Sequence, residues 1–378
     1  MPPQATPPVI AFYDQVASLC TDRLRAALNA ATGLFDRQLR ARRWEETYGT
    51  EDLTSTAICL IGLHRAGIDP AVVGLDPART LDALFKVTRR RKYSGGLGLV
   101  VWANAVWDGL PLIDLLRRAR VSLDRPARFT ARLTTMETAW LVSGLLHECR
   151  RSGDDLAGTA LEVALADLLA RFEKRTGLFR HVSDAAPPTA RIRKWVANFA
   201  DQIYSVQATA LASIAGVDAA ARAISDACAN RLVELQGALG QWWWHYDPRD
   251  GGIAQAFPVY SVHQYAMAPM ALMTLATAGG RDHRAAVELG HAWISRNELC
   301  VRLLDPEAGT IWRDIEIEEG RMRRSARHAR SVLGWKRADG GAAAENLTVN
   351  YETRPYEWGW CLFARALAAG TERREHVT

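Results

Sequence analysis

TAWLVSGLLHECRRSG, residues 138–153, is the stretch whose reading decides the fold. It is apolar around most of a helical circumference and stops at a glycine after a polar residue, where a helix C-cap belongs. The same phrase returns as LTSTAICLIGLHRAG to Gly67, VQATALASIAG to Gly216, QYAMAPMALMTLATAG to Gly279 and EWGWCLFARALAAG to Gly370, with LVVWANAVWDG to Gly109 as a shorter sixth copy. A helix of this kind needs protein on nearly every side.

Between these runs lie helices with a single apolar stripe and a charged opposite face: DQVASLCTDRLRAALNA, PARTLDALFKVTRRR, LIDLLRRARV, LEVALADLLARFEKR, AARAISDACANRLVEL and HRAAVELGHAWI. Six wholly apolar helices alternating with six amphipathic ones are best satisfied by a closed ring, the first set forming an inner wall and the second covering it. The expected architecture is therefore all-α, an (α/α)6 toroid, and residues 1–378 read as a single domain. A second phrase, Gly followed by two apolar residues, appears as ATGLFD (31–36), RTGLFR (175–180), AGTIWR (308–313) and, less closely, GGLGLV (95–100). It reads as a turn that tucks side chains under the barrel rim.

Inner-to-outer links are a few residues long, whereas the outer-to-inner connections at 33–51, 175–200, 240–260 and 300–354 are long. The long ones must gather over the N-termini of the inner helices, where free N–H groups and positive dipole ends favour anions. Residues 313–345, with Arg321, Arg323, Arg324, Arg327 and Arg330, interrupt the repeat and read as a solvated insertion or a lid.

This arrangement resembles the α/α-toroid superfamilies, with terpenoid cyclases and protein prenyltransferases on one side and six-hairpin glycosidases and related polysaccharide lyases on the other. Gln236, Gly240 and Trp242 match the Q-x-x-x-G-x-W core of the QW motif of squalene-type cyclases. That match implies a structural role for Gln236 and Trp242. The DxDD and DDxxD signatures of terpenoid cyclases are absent, since Asp247-Pro-Arg-Asp250 has the wrong spacing. Zinc ligands of the prenyltransferase type are not recognisable.

Carbohydrate chemistry on such a barrel asks for carboxylates, phenols, imidazoles or guanidinium groups at the rim, with flat rings for sugars to stack on. Glu51 and Asp52 open the first inner helix, Glu137 the third, and Asp201 with Tyr204 the fourth. Tyr260, His263 and Gln264 open the fifth, and Glu352, Arg354, Tyr356 and Glu357 the sixth. Hydrolysis would draw two carboxylates from Asp52, Glu137, Asp201 and Glu357. Lyase or epimerase chemistry would use Tyr204, Tyr260 or His263 to move a proton, with Arg354 neutralising a substrate carboxylate. Acidic groups in a first helical turn also serve as caps. In GQWWWHYDPRDGG (240–252), Trp242 belongs to packing, one or two of Trp243, Trp244 and Tyr246 can line the cavity, and Asp247 to Gly252 reads as a turn. Tyr356 and Gln264 complete the binding set.

The net charge of +5 gives a mild preference for anionic ligands. No nucleic-acid motif, no uninterrupted apolar span of membrane length and no secretory signal is legible, so the cytoplasm is the expected location. The six cysteines are far apart, and neither a metal nor a cofactor is expected. The leading expectation is an enzyme that processes an acidic or oligomeric glycan. An atypical terpenoid cyclase and a non-catalytic glycan-binding toroid are the alternatives.

Overall fold

The computed structural model describes residues 8–40, 43–45, 50–91, 94–334 and 346–370. Among these, the inner wall is built from helices Thr50–Arg65, Leu97–Val106, Thr135–Ser152 and Phe199–Ile214, a π-type turn His263–Met267 that runs into Ala268–Thr277, and Pro355–Ala368. Each packs on the next, and the sixth packs on the first, so the ring is closed. Helices Pro8–Ala27, Pro77–Arg91, Leu112–Ala119, Asp155–Ala170, Ala221–Leu235 and Arg284–Trp293 form the outer layer. The molecule is an α/α toroid.

The inner helices meet so closely that backbone touches backbone. A Cβ placed on Gly62 would lie 2.0 Å from the carbonyl oxygen of Gly359, where the first and sixth inner helices close the ring. A Cβ on Gly144 would lie 2.2 Å from the Gly98 oxygen on the neighbouring helix. Glycine inside these helices is there for contact. Gly67, Gly153, Gly216, Gly279 and Gly370 all have left-handed φ, as a C-cap requires. Gly109 departs from the expectation: Asp108 takes the left-handed conformation instead (φ 48°), and Asn104 bonds both the N–H and the carbonyl of Leu110.

The Gly-apolar-apolar phrase is a short antiparallel hairpin in three places: Leu28–Asn29 with Leu34–Phe35, Phe172–Glu173 with Leu178–Phe179, and Leu304–Asp305 with Thr310–Ile311. The two residues after the glycine are buried in all three, and the first two hairpins are tied to the next inner helix. Phe35 N–H donates to Thr56 Oγ1 (3.0 Å), and Phe179 exchanges two bonds with the Gln202 amide (2.7 and 2.8 Å). GGLGLV is different, because Leu97 already begins a helix there.

Three small sheets feed the inner helices. Ala197–Asn198 pairs with His245–Asp247, and that strand with Gly252–Gln255, ahead of the fourth helix. Val259–Tyr260 pairs with Asp314–Ile317, and that with Leu347–Asn350, ahead of the fifth. Glu352–Thr353 pairs with Gln38–Arg40 ahead of the sixth. The long connections therefore do collect over the inner N-termini. The interrupting segment is ordered where described: after strand Asp314–Ile317 comes helix Arg321–Val332, held to the rim by Arg327 on the Phe257 carbonyl (3.0 Å) and Ser331 on Gln255 (2.8 Å). Residues 335–345 of it lie outside the described residues.

Candidate functional site

Below the rim the lumen is filled by rings. Trp140 stands edge-on to Tyr204 (5.4 Å between centroids), Tyr204 packs on Trp360 (5.8 Å), Trp360 on Trp102 (5.8 Å), and Trp102 stacks on His147 (4.7 Å). A ligand entering from the rim must stop above this plug. Tyr204 is thus part of the plug's upper surface, and burial raises its phenol well above the usual range.

Several expected rim groups have their hydrogen-bonding capacity committed to the fold. Asp201, fully buried, accepts from Met136 N–H (2.9 Å) with one oxygen and from Asn198 N–H and His181 Nδ1 (2.7 Å each) with the other. It joins the starts of the third and fourth inner helices. Glu137 closes a capping box with Thr134. Gln264 is spent between Trp242 N–H and the Tyr260 carbonyl. Tyr246 is buried in the core with its oxygen on Trp243 N–H (3.2 Å), which corrects its assignment to the cavity. Trp243 donates to the Leu235 carbonyl (2.7 Å) and is anchored to the end of an outer helix. Asp247 is clasped by Arg249 in the expected turn. The side chain of Asp52 lies outside the described residues, although its backbone is in the first turn of the first inner helix.

The remaining groups converge. Trp244, half-buried, packs on Tyr260 (4.8 Å) and lies nearly parallel to His263 (6.3 Å, 13°). His263 sits in the π-type turn, a distortion often found at functional sites. Burial and then Arg313 push its imidazole down to about 3, so it is neutral, and its Nδ1 has no partner. Arg313 lies over the Tyr260 ring (5.1 Å) and forms an ion pair with Glu352. Arg354 Nε meets the same Glu352 oxygen at 2.5 Å, while Arg40 approaches the other at 3.6 Å across the strand pair. Burial opposes the Glu352 charge, but Arg313 and Arg354 overcome it and hold the carboxyl below its usual range.

Two further carboxyls behave oppositely. Glu357, fully buried, accepts from Thr353 Oγ1 (3.1 Å) with one oxygen and leaves Oε1 without a partner. Burial pushes it up to about 8. Asp314 accepts from Asn350 (3.1 Å), lies 3.5 Å from Arg313 Nε, and is pushed up to about 7 by burial. Tyr356 rises to about 12, chiefly by burial. Near neutral pH the cluster holds three guanidinium groups against one fully ionised carboxylate and one partly ionised. It is a cationic patch with an aromatic wall and two carboxyls poised near neutrality.

Sequence reasoning did not single out Arg313, Asp314 or His181. The first two begin the charged insertion and look like solvent-facing residues until strand Asp314–Ile317 buries them. The signal available for the first two was their place at the end of the third copy of the hairpin phrase, AGTIWR, and directly after it.

Fold and rim together define an α/α toroid whose mouth is cationic and aromatic. No family model matches the chain, and comparison with curated proteins gives no match. Solved structures do match it along its length. The unsaturated glucuronyl hydrolase of Bacillus sp. GL1, responsible for degradation of glycosaminoglycan, is 15% identical with a TM-score of 0.61, over 96% of this chain and 97% of that one. A possible GH105 family member from Klebsiella pneumoniae subsp. pneumoniae MGH 78578 is 12% identical, TM-score 0.58, over 98% and 96%. A sugar epimerase from a ruminal bacterium is 10% identical, TM-score 0.58, over 96% and 99%. At such identities the likeness is one of fold, the six-hairpin form of the α/α toroid. No helix among the described residues is long and apolar enough to cross a membrane.

Proposed function

We propose that the chain is a carbohydrate-processing enzyme acting on a glycan that carries a carboxylate, with the reaction at the rim. The observation that supports this most directly is the Arg313–Arg354–Glu352 cluster lying against Tyr260 beside two carboxyls of near-neutral pKa. Arg313 and Arg354 receive the substrate carboxylate, since guanidinium groups bind carboxylates through paired N–H donors. Trp244, Tyr260 and Tyr356 provide faces for the sugar rings.

Glu357 is the proton donor in this reading and Asp314 the acceptor. A catalytic group works best with a pKa near the operating pH, and burial raises both carboxyls into that range. His263 is too weak a base at about 3, and serves as a hydrogen-bonding wall. The fold relatives named as a glucuronyl hydrolase and a sugar epimerase agree with the substrate class. A terpenoid cyclase would need an apolar funnel, and this mouth is lined by guanidinium and carboxyl groups instead.

The test is turnover of uronate-terminated oligosaccharides, followed by mass spectrometry, against neutral oligosaccharides and prenyl diphosphates. Turnover confined to the uronates is expected, with a maximum between about pH 7 and about pH 8, where Asp314 has lost its proton and Glu357 keeps one. Glu357→Gln lowers kcat by about 100-fold or more. Binding of uronates with no turnover under any condition would leave a glycan-binding toroid, and turnover of prenyl diphosphates would refute the reading.

A further inference from the structure

A second group of basic side chains gathers at the start of the fourth inner helix, and none of it belongs to the reactive cluster. His181 follows the second hairpin, Arg193 lies in the loop before strand Ala197–Asn198, His245 opens the strand paired with it, and His328 sits on helix Arg321–Val332. The fold brings them together. The backbone N–H of His181 donates to the Lys194 carbonyl (2.9 Å), which keeps the neighbouring Arg193 close. His245 lies opposite Asn198 across the strands, and Asn198 N–H and His181 Nδ1 share one oxygen of Asp201 (2.7 Å each). The His245 and His328 rings are 6.2 Å apart, and Arg193 interacts electrostatically with both.

Charge in this group is unbalanced. Lys194 is paired with Asp184 and Arg327 with Glu319 (2.5 Å), while Asp201 is committed to His181 and two backbone N–H groups. No carboxylate among the described residues pairs with Arg193. Its terminal nitrogens, His181 Nε2 and both ring nitrogens of His328 have no partner among those residues either. Arg193 and His328 are only half-buried and His181 is 8% exposed, so a ligand can reach all three. Burial, with Arg193 and Arg327 nearby, holds the His328 imidazole below its usual range, which leaves Arg193 as the fixed charge. His245, pushed down to about 3 chiefly by burial, is a neutral wall beside them.

Trp244 joins this group to the reactive cluster. Its ring packs on His245 (4.7 Å) and on Tyr260 (4.8 Å), over which Arg313 lies. A glycan crossing Trp244 meets Arg313 and Arg354 first and Arg193 next.

We propose that Arg193, His181 and His328 form a second oxyanion subsite, which receives a carboxylate or sulfate on the sugar next to the one held by Arg313 and Arg354. Arg193 binds the oxyanion through paired N–H donors, with the ring nitrogens of His328 and His181 beside it. The inference rests on the reading of the rim as a uronate site, and it makes the substrate a glycan that is acidic on two neighbouring sugars.

The experiment is calorimetric titration of the full chain with three disaccharides: glucuronyl-glucose, whose second sugar is neutral, glucuronyl-glucuronate and glucuronyl-glucose 6-sulfate. At least one doubly acidic disaccharide is expected to bind wild type about 10-fold or more tightly than glucuronyl-glucose, and which one it is tells carboxylate from sulfate. That ratio falls below about threefold in Arg193→Gln, a change that breaks no hydrogen bond of the fold. Arg330→Gln removes the same charge from an exposed position on the helix that carries His328, and keeps the wild-type ratio. Glucuronyl-glucose bound as tightly as both doubly acidic disaccharides overturns the second subsite alone. So does a ratio that survives Arg193→Gln, or one that Arg330→Gln lowers as much, since the preference then comes from the overall positive field. If none of the three binds, the uronate reading of the rim and the subsite fall together.

Discussion

At the scale of single residues, burial decides which acidic group is chemistry and which is architecture. Asp201 and Glu137 occupy the same capping position, third in their helices, and both spend their oxygens on backbone N–H groups. Glu357 occupies that position too, but its carboxyl keeps one oxygen free and stays protonated to about pH 8. For a carboxyl raised in the folded state, the folded chain binds the extra proton between the ordinary value, 4.5, and about 8. Its contribution is therefore complete below 4.5 and is lost as pH rises through that window. Thermal melts of wild type should fall in Tm across this range, and Glu357→Gln should flatten the fall. An unchanged slope would show that Glu357 ionises as it does in the unfolded chain. Asp201→Asn should destabilise by about 2–3 kcal/mol in urea titration, because an amide offers one acceptor oxygen where the carboxylate satisfies two backbone N–H groups and an imidazole. A loss of turnover in that variant that persists when stability is restored would instead assign Asp201 a direct part in catalysis.

The elements were largely legible because their signals are local. Apolar circumference, glycine stops and hairpin phrases each depend on a few neighbouring residues, and the helices fall where those phrases place them. What stayed hidden is what depends on partners distant in the chain. Trp243 and Trp244 are adjacent, yet one is anchored to Leu235 and the other faces Tyr260, and only the rim sheets determine which. Asp314 reads as part of a charged insertion, and it takes Val259–Tyr260 on one side and Leu347–Asn350 on the other to bury it. The glycines within the inner helices were likewise silent, since their contact is with another helix. Gly62→Ala should therefore be among the most damaging small substitutions, costing about 3 kcal/mol or more, because the added carbon meets backbone that cannot turn aside. The QW-like phrase offers a milder test. Gln236 bonds the Gly240 and Ala286 carbonyls (2.8 and 3.0 Å) and Trp242 is buried, so Gln236→Ala should cost about 1–2 kcal/mol in denaturant titration without changing the pH profile of turnover.

For the whole molecule, closure is the property that matters. The first and sixth inner helices meet at Gly62 and Gly359, the strand before the sixth pairs with a strand before the first, and the N-terminal outer helix packs on the sixth inner helix. Tyr13 also ties this outer helix to the fifth inner helix by donating to the Tyr265 carbonyl (2.9 Å) in its π-type turn. Opening a ring anywhere exposes two apolar helix faces at once, so neither half has a stable form to retreat to. Unfolding should accordingly be a single transition, with far-UV circular dichroism and tryptophan fluorescence coinciding. The two probes sample different places, since Trp102, Trp140, Trp360, Trp243 and Trp244 sit in the lumen or at the rim while the helices report on every pair. Deleting residues 1–27 would strip Val9, Tyr13, Val16, Cys20 and Leu24 from the sixth inner helix and its neighbours. That helix begins with Arg354, Tyr356 and Glu357, so the truncated chain should lose its reactive cluster together with its cooperative melt. Two separated transitions in the intact chain, or a truncated chain that still melts sharply, would mean that the repeats are stable a few at a time and that closure serves only to bring the rim residues together.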